Sequence, residues 1–170
     1  MTIEKLNKKV GYERGTTLVE AIVVVFILSF GLIPSFFTVI SANNLATSIK
    51  NNLVAANLAQ EGLEVVRAIR DSNWFTGNSF DFGLGDGNYR VVWNSTGLLP
   101  ESSNPLLKLD SQGLYNYSTG TDTIFHRRLV IAKIDPAGCN CELRIISEVS
   151  WQEKSRTKTI RAESHLFNWK

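Results

Sequence analysis

Ala21 to Ile40 reads AIVVVFILSFGLIPSFFTVI, without an Asp, Glu, Lys or Arg. Wound as a helix at about 1.5 Å per residue, the run is roughly 30 Å long and matches the hydrocarbon thickness of a bilayer. A helix apolar on every side needs lipid or other protein around it, because the core of a small globule covers only one face. The stretch therefore predicts a membrane-inserted helix. Just before it, Lys5, Lys8, Lys9 and Arg14 stand against only Glu4 and Glu13, and after it no Lys or Arg appears until Lys50. That asymmetry places the N-terminus in the cytoplasm and the bulk of the chain outside. A secretory signal would show a shorter apolar core ending in a small-residue cleavage site. Nothing of that kind closes this run, and the segment is expected to be retained.

Around this run, the 170 residues leave room for one folded domain, and 44% hydrophobic content is that of a folded chain, not a disordered one. Collagen, coiled-coil arrays and disulfide-dense miniproteins are excluded. Lys plus Arg total 18 against 16 for Asp plus Glu, and the surplus sits in the first fifteen residues. The balanced remainder argues against a nucleic-acid-binding domain, which carries a basic stripe. No direct nucleic-acid partner is expected.

The residues that introduce the run are more specific: Arg14-Gly15-Thr16-Thr17-Leu18-Val19-Glu20, a Gly after a basic leader and a lone carboxylate at the mouth of an apolar helix. This arrangement resembles the class III (N-methylation) signal of type IV prepilins. The resemblance implies that a membrane-embedded prepilin peptidase cuts after Gly15 on the cytoplasmic side. Thr16 then becomes the N-methylated first residue, and Glu20 takes the family's position for its acidic residue. An ionised carboxylate at the edge of a membrane helix costs free energy unless it is paired or reaches the interface. The family's explanation is a pairing of Glu20 with the Thr16 amine of a neighbouring subunit. Two further stretches, Ser29-Phe30-Gly31-Leu32 and Ala56-Asn57-Leu58-Ala59-Gln60-Glu61-Gly62-Leu63-Glu64-Val65-Val66-Arg67, resemble the V-type minor pilins of type IV pili and the I-type pseudopilins of type II secretion. Gly31 and Pro34 are the helix-kink candidates, although Pro34 stands three positions closer to the cut than the Pro of major pilins. The resemblance covers roughly residues 8 to 73.

Beyond the apolar run, Leu45, Ile49, Leu53, Ala56, Ala59, Leu63 and Val66 recur at steps of four or three and predict one apolar stripe on a continuing helix. Lys50, Asn51, Asn57, Glu61 and Glu64 are read as its solvated face, with Glu64–Arg67 and Arg67–Asp71 as helix-supporting pairs. Asp71-Ser72-Asn73 and Gly77 should stop a helix running from about Thr16 to about Arg70. From Trp74 to Gly87 the composition is that of a loop. Strands are predicted at Tyr89 to Trp93, Ile124 to Ile134, Leu143 to Trp151 and Thr157 to Phe167, the last three as an antiparallel meander. Leu98 to Asp122 reads as a variable loop with one short strand at Gly113 to Tyr117. The expected fold is α+β: a long N-terminal helical spine packed on an antiparallel β-sheet head. Its divisions are a cytoplasmic leader (1–15), a transmembrane half-helix (16–42), an amphipathic half-helix (43–71) and a β-rich head (72–170).

No catalytic constellation, cofactor site or metal site emerges from the sequence. His126 and His165 sit within strand patterns and are read as structural. Gly83-x-Gly85-x-Gly87 lacks the strand and helix that frame a phosphate loop, and Asp81 and Asp86 are read as turn formers rather than calcium ligands. Trp74, Trp93, Trp151 and Trp169 are assigned to the core or its rim. Cys139 and Cys141 form either a local disulfide or two free thiols. The resemblance implies a non-enzymatic minor pilin subunit of a type IV pilus. Its implied partners are major and other minor pilins, the prepilin peptidase, an inner-membrane assembly platform and, before assembly, membrane lipid. The implied location is a single-pass inner membrane protein with the N-terminus inside and the head outside, then the pilus at the cell surface. The alternatives are a pseudopilin of a type II secretion or DNA-uptake system, and a permanently membrane-anchored ectodomain protein.

Overall fold

A single helix, α1 (Glu13–Phe75), runs through the apolar segment and into the amphipathic one, with Pro34 inside it. The computed structural model describes residues 13–101, 103–134 and 141–169, and side chains from Thr17 onward. The basic cluster of Lys5, Lys8 and Lys9, the turn at 135–138 and Cys139 lie outside the described residues. The chain divides into two compact units, with the boundary between Thr47 and Ser48. The second half of the helix therefore belongs with the sheet.

The helix ends later than expected: Asp71, Ser72 and Asn73 continue it to Phe75. Asn73 is buried, and its Nδ2 donates to the carbonyls of Phe80 (3.3 Å) and Phe82 (2.8 Å). A residue that would favour a turn in isolation is thus held by tertiary bonds. The stop comes at Gly77, with φ of 78°. There the Gly77 N–H donates to the Trp74 carbonyl (3.3 Å) and the Asn78 N–H to the Asn73 carbonyl (2.8 Å), closing the last turn as a Schellman motif.

Among the described residues seven antiparallel strands follow: β1 (Gly87–Arg90), β2 (Leu99–Pro100), β3 (Leu106–Leu109), β4 (Tyr115–Asn116), β5 (Thr121–Ile134), β6 (Glu142–Glu153) and β7 (Arg156–Phe167). The long β5 is central. One of its edges pairs with β6, which pairs with β7, as the meander predicts. Its other edge is shared, with β3 on Thr121 to His126 and β1 on Leu129 to Ile131. β2 extends β1, and β4 extends β3. The reading of Leu98 to Asp122 as a loop with one short strand misses β2 and β3. Leu107 of β3 is fully buried, and that burial is what orders the segment.

Alternation along β5 and β6 turns Phe125, Arg127, Leu129 and Ile131, and Leu143, Ile145, Ser147, Val149 and Trp151, toward the helix, all of them buried. The helix meets them with Ala55, Leu58, Ala59, Leu63, Val66 and Ile69, also buried. The predicted stripe is only half correct. Ala59, Leu63 and Val66 are covered, whereas Leu45, Ile49 and Leu53 are exposed. They lie roughly a third of a turn from the covered face, which small residues define because a sheet needs close backbone approach. Gly62 shows how close: a Cβ there would stand 2.6 Å from the Ser147 Oγ and 3.2 Å from the Leu129 Cδ2.

The core has two apolar clusters, one built on Leu63, Val66 and Ile69 with Leu129, Ile131, Leu143 and Ile145, the other on Ala55, Leu58 and Ala59 with Leu107, Phe125, Val149 and Trp151. Between them along each strand sit Arg127 and Ser147. Arg127 is fully buried; its Nη1 donates to the Leu58 carbonyl (3.2 Å) and Glu61 Oε1 (2.8 Å), and its Nη2 to the Val91 carbonyl (2.5 Å). Glu61, assigned from sequence to the solvated face, is instead the partner of this buried cation. Arg67 pairs with Glu64 at 2.5 Å as expected, but Asp71 pairs with Arg70 (2.7 Å), not with Arg67.

Candidate functional site

From Thr17 to Thr47 every residue of the helix is exposed, including Phe30 and Phe36 at 68%. This is the one helix among the described residues long and apolar enough to cross a membrane, and none of its most apolar window is buried. The hydroxyls within it are turned inward. Ser29 donates to the Val25 carbonyl (2.8 Å), Ser35 to that of Gly31 (2.7 Å) and Thr38 to that of Pro34 (2.9 Å). Satisfied in this way, these groups add little polar surface to a helix that must present hydrocarbon to its surroundings.

Gly15 and Thr16 lie within the first turn of α1, and Glu20 is exposed at the entrance to the apolar run. Gly31 has no neighbour within 4 Å of where a Cβ would stand, so a side chain there would meet no other part of the chain. Pro34 has no N–H to give the Phe30 carbonyl, yet the helix runs through it and Gly31 unbroken. The helix and its exposed apolar surface are therefore established.

Comparison with family models, curated proteins and solved structures returns no match.

The remaining candidates resolve as local structure. Asp81 Oδ2 accepts from Lys133 Nζ (2.5 Å), and Asp86 Oδ1 accepts the Lys133 N–H (2.5 Å) just before the start of β1. Both aspartates tie the glycine loop to β5, and among the described residues no group of three or more metal-ligating side chains converges. The loop follows the helix and leads directly into β1, so it has no helix N-terminus with which to hold a phosphate. His126 Nδ1 lies 2.6 Å from the Asn104 carbonyl. His165 bonds Glu142 and Glu163, and these bonds, Glu142 foremost, raise its pKa. Burial raises the pKa of Glu101 despite the nearby Arg128 and Arg90. Cys141 is disulfide-bonded.

The four tryptophans divide between core, rim and surface. Trp151 is buried and Trp74 packs on the core, where the Arg70 guanidinium lies 4.6 Å above its ring. Trp169 is 72% exposed and meets Trp74 edge-on at 4.7 Å, while Trp93 is 50% exposed and in neither cluster. Gly62, Ser147 and Arg127 went unmarked in the sequence. The hint for Arg127 was its register, since a residue between Phe125 and Leu129 on an alternating strand must face inward.

Proposed function

We propose that this chain is a minor pilin subunit, trimmed after Gly15 and assembled into, or at the tip of, a type IV pilus. The observation that carries the reading is the sequence of Gly15, Thr16 and Glu20 at the mouth of a helix whose first half is exposed and apolar throughout while its second half is built into a β-sheet head. Such a helix has two physical resting places, lipid before assembly and the helices of other subunits after it. Removal of the leader takes away Lys5, Lys8, Lys9 and Arg14, the charges that hold the N-terminus at the cytoplasmic face. What remains at that end is the Thr16 amine and the Glu20 carboxylate. Opposite charges at ~4 Å attract by about 4 kcal/mol at an effective dielectric of ~20, and desolvation offsets much of that. A neighbour's amine is thus a sufficient reason for the carboxylate to enter an apolar assembly. The energy for extraction comes from an ATPase acting through a membrane platform; the head supplies the surface that neighbouring major and minor pilins touch.

Mass spectrometry of the chain recovered from membranes and from sheared filaments tests this. The expected N-terminus is a methylated Thr16, and the expected location is both fractions. An N-terminus at Met1 with no filament association would establish a permanently anchored ectodomain instead. A processed chain that co-purifies with a secretion channel would establish a pseudopilin.

A further inference from the structure

The segment from the end of β1 to β2, the start of the β3–β4 turn, and β4 with the turn that leads to β5 enclose an open cleft of about 340 Å³. Its lining includes Trp93, Leu99, Asn94, Asp110, Asn116 and Thr119. A volume of this size lies at the small end of the range of ~300–1,000 Å³ typical of ligand sites. We infer that this cleft binds a neutral saccharide, one or two pyranose rings in extent, with Trp93 as the stacking surface.

The lining selects that chemistry. Trp93 and Leu99 are half exposed, at 50% and 53%, and present apolar surface to solvent, although the core clusters lie elsewhere. Around them Asp110 and Asn116 are held in place by their own turns. Asp110 Oδ1 accepts the N–H groups of Gln112 and Leu114, both at 2.9 Å. Asn116 Oδ1 accepts those of Ser118 (2.9 Å) and Thr119 (2.8 Å). Each side chain is thereby fixed through one oxygen. The second oxygen of Asp110 and the Nδ2 of Asn116 make no hydrogen bond among the described residues, and neither does the Asn94 amide or the Trp93 indole N–H. The cleft thus offers an aromatic ring with an acceptor and several donors around it, of which the Asp110 and Asn116 side chains are already held, so that little entropy is lost at those two when a ligand arrives.

A pyranose ring is the complementary object, with C–H groups on a face and hydroxyls around its edge that both donate and accept. An anion finds no cation in the lining, whose one charged member is Asp110. A purely apolar ligand would bury the carboxylate and amides without partners, at a cost that apolar contact with one indole does not offset.

The test uses the full-length chain in micelles of a detergent without a sugar headgroup, since a maltoside would compete. Methyl β-glucopyranoside, methyl β-galactopyranoside and N-acetylglucosamine are the probes, read by saturation-transfer NMR and by tryptophan emission. The expected result is a saturable millimolar response to at least one of them, with transfer strongest to the ring C–H protons of one sugar face. Trp93→Ala should weaken it about tenfold or more, Trp93→Phe less, and Asn94→Ala a few-fold with an unchanged melting temperature. Should Trp93→Ala fail to fold, Trp93→Phe and Asn94→Ala decide, because undiminished binding in both overturns the assignment. So does an absent response to all three sugars in the unaltered chain, or full binding by a folded Trp93→Ala.

Discussion

Gly62→Ala should destabilise the head, and removing one hydroxyl across the interface should reverse the sign. In an exposed helix interior, Ala is about 1 kcal/mol better than Gly. Here the added Cβ would stand 2.6 Å from the Ser147 Oγ, closer than side-chain carbons approach oxygen, and 3.2 Å from the Leu129 Cδ2. Overpacking of that kind costs about 1–3 kcal/mol, so the net expectation is a loss of about 1 kcal/mol. Ser147→Ala alone should be neutral or gain about 1 kcal/mol, because its Oγ is buried without a hydrogen-bond partner. In that background the nearest atoms to the new Cβ are the Leu129 Cδ2 at 3.2 Å, which is the far end of a flexible side chain, and the residue-147 Cβ at 3.4 Å. The helix preference then dominates, and Gly62→Ala should stabilise. The cycle predicts a coupling of about 1.5–2 kcal/mol between two residues far apart in sequence. Thermal melts of the four proteins in detergent, followed by near-ultraviolet circular dichroism, would read this as shifts of about 3–5 °C per kcal/mol. Additivity within about 0.5 kcal/mol would refute the close approach of helix and sheet at Gly62.

A chain shortened to begin at Asn43 should be soluble and folded, since it removes the exposed apolar run and keeps the face from Ala55 to Ile69; within it Leu63→Asp should cost about 3–5 kcal/mol by placing an unpaired charge among buried side chains, read by urea denaturation. Glu20→Ala should insert into membranes at least as well as the unaltered chain, because Ala21 to Ile40 suffices to span, yet be depleted from sheared filaments; normal recovery there would remove the pairing role of Glu20. His165, whose pKa is raised above 6.5 by bonds to Glu142 and then Glu163, contributes stability that is fully present below its unfolded pKa and is lost as pH rises through the higher folded value. The melting-temperature gap between the unaltered chain and His165→Gln should therefore narrow as pH rises from about 6 toward alkaline values, and a gap that widens would contradict the assignment.

Much of this architecture is written in local pattern. The charge-free run from Ala21 to Ile40 fixes an exposed apolar helix by composition alone, and the alternation in β5, β6 and β7 fixes the meander within a few residues of its observed ends. Both signals rest on periods of 3.6 or 2 repeated over many residues, so a single exception does not obscure them. Short elements lack that redundancy. Leu99–Pro100 and Leu106–Leu109 are strands because β1 and β5 lie beside them, and nothing in a stretch of two or four residues announces its partner. The same holds for the cleft at Trp93, whose lining comes from segments that meet only when β3 and β4 fold back along β5.

The sequence by itself determined the long helix, its apolar first half, the basic residues that precede it, and the antiparallel end of the sheet. Tertiary structure alone decided which face of the second half is covered. Leu45, Ile49 and Leu53 are exposed while Ala55, Leu58, Ala59, Leu63, Val66 and Ile69 are buried, and hydrophobicity alone does not select between them, since the exposed set is at least as apolar. The small residues Ala55, Ala59 and Gly62, set among Leu58, Leu63, Val66 and Ile69, let the sheet approach closely, and that proximity lets Arg127 reach the Leu58 carbonyl and Glu61 from the opposite layer. Helix periodicity is a property of one segment, whereas the choice of covered face is a property of two surfaces in contact, and only the folded chain contains both.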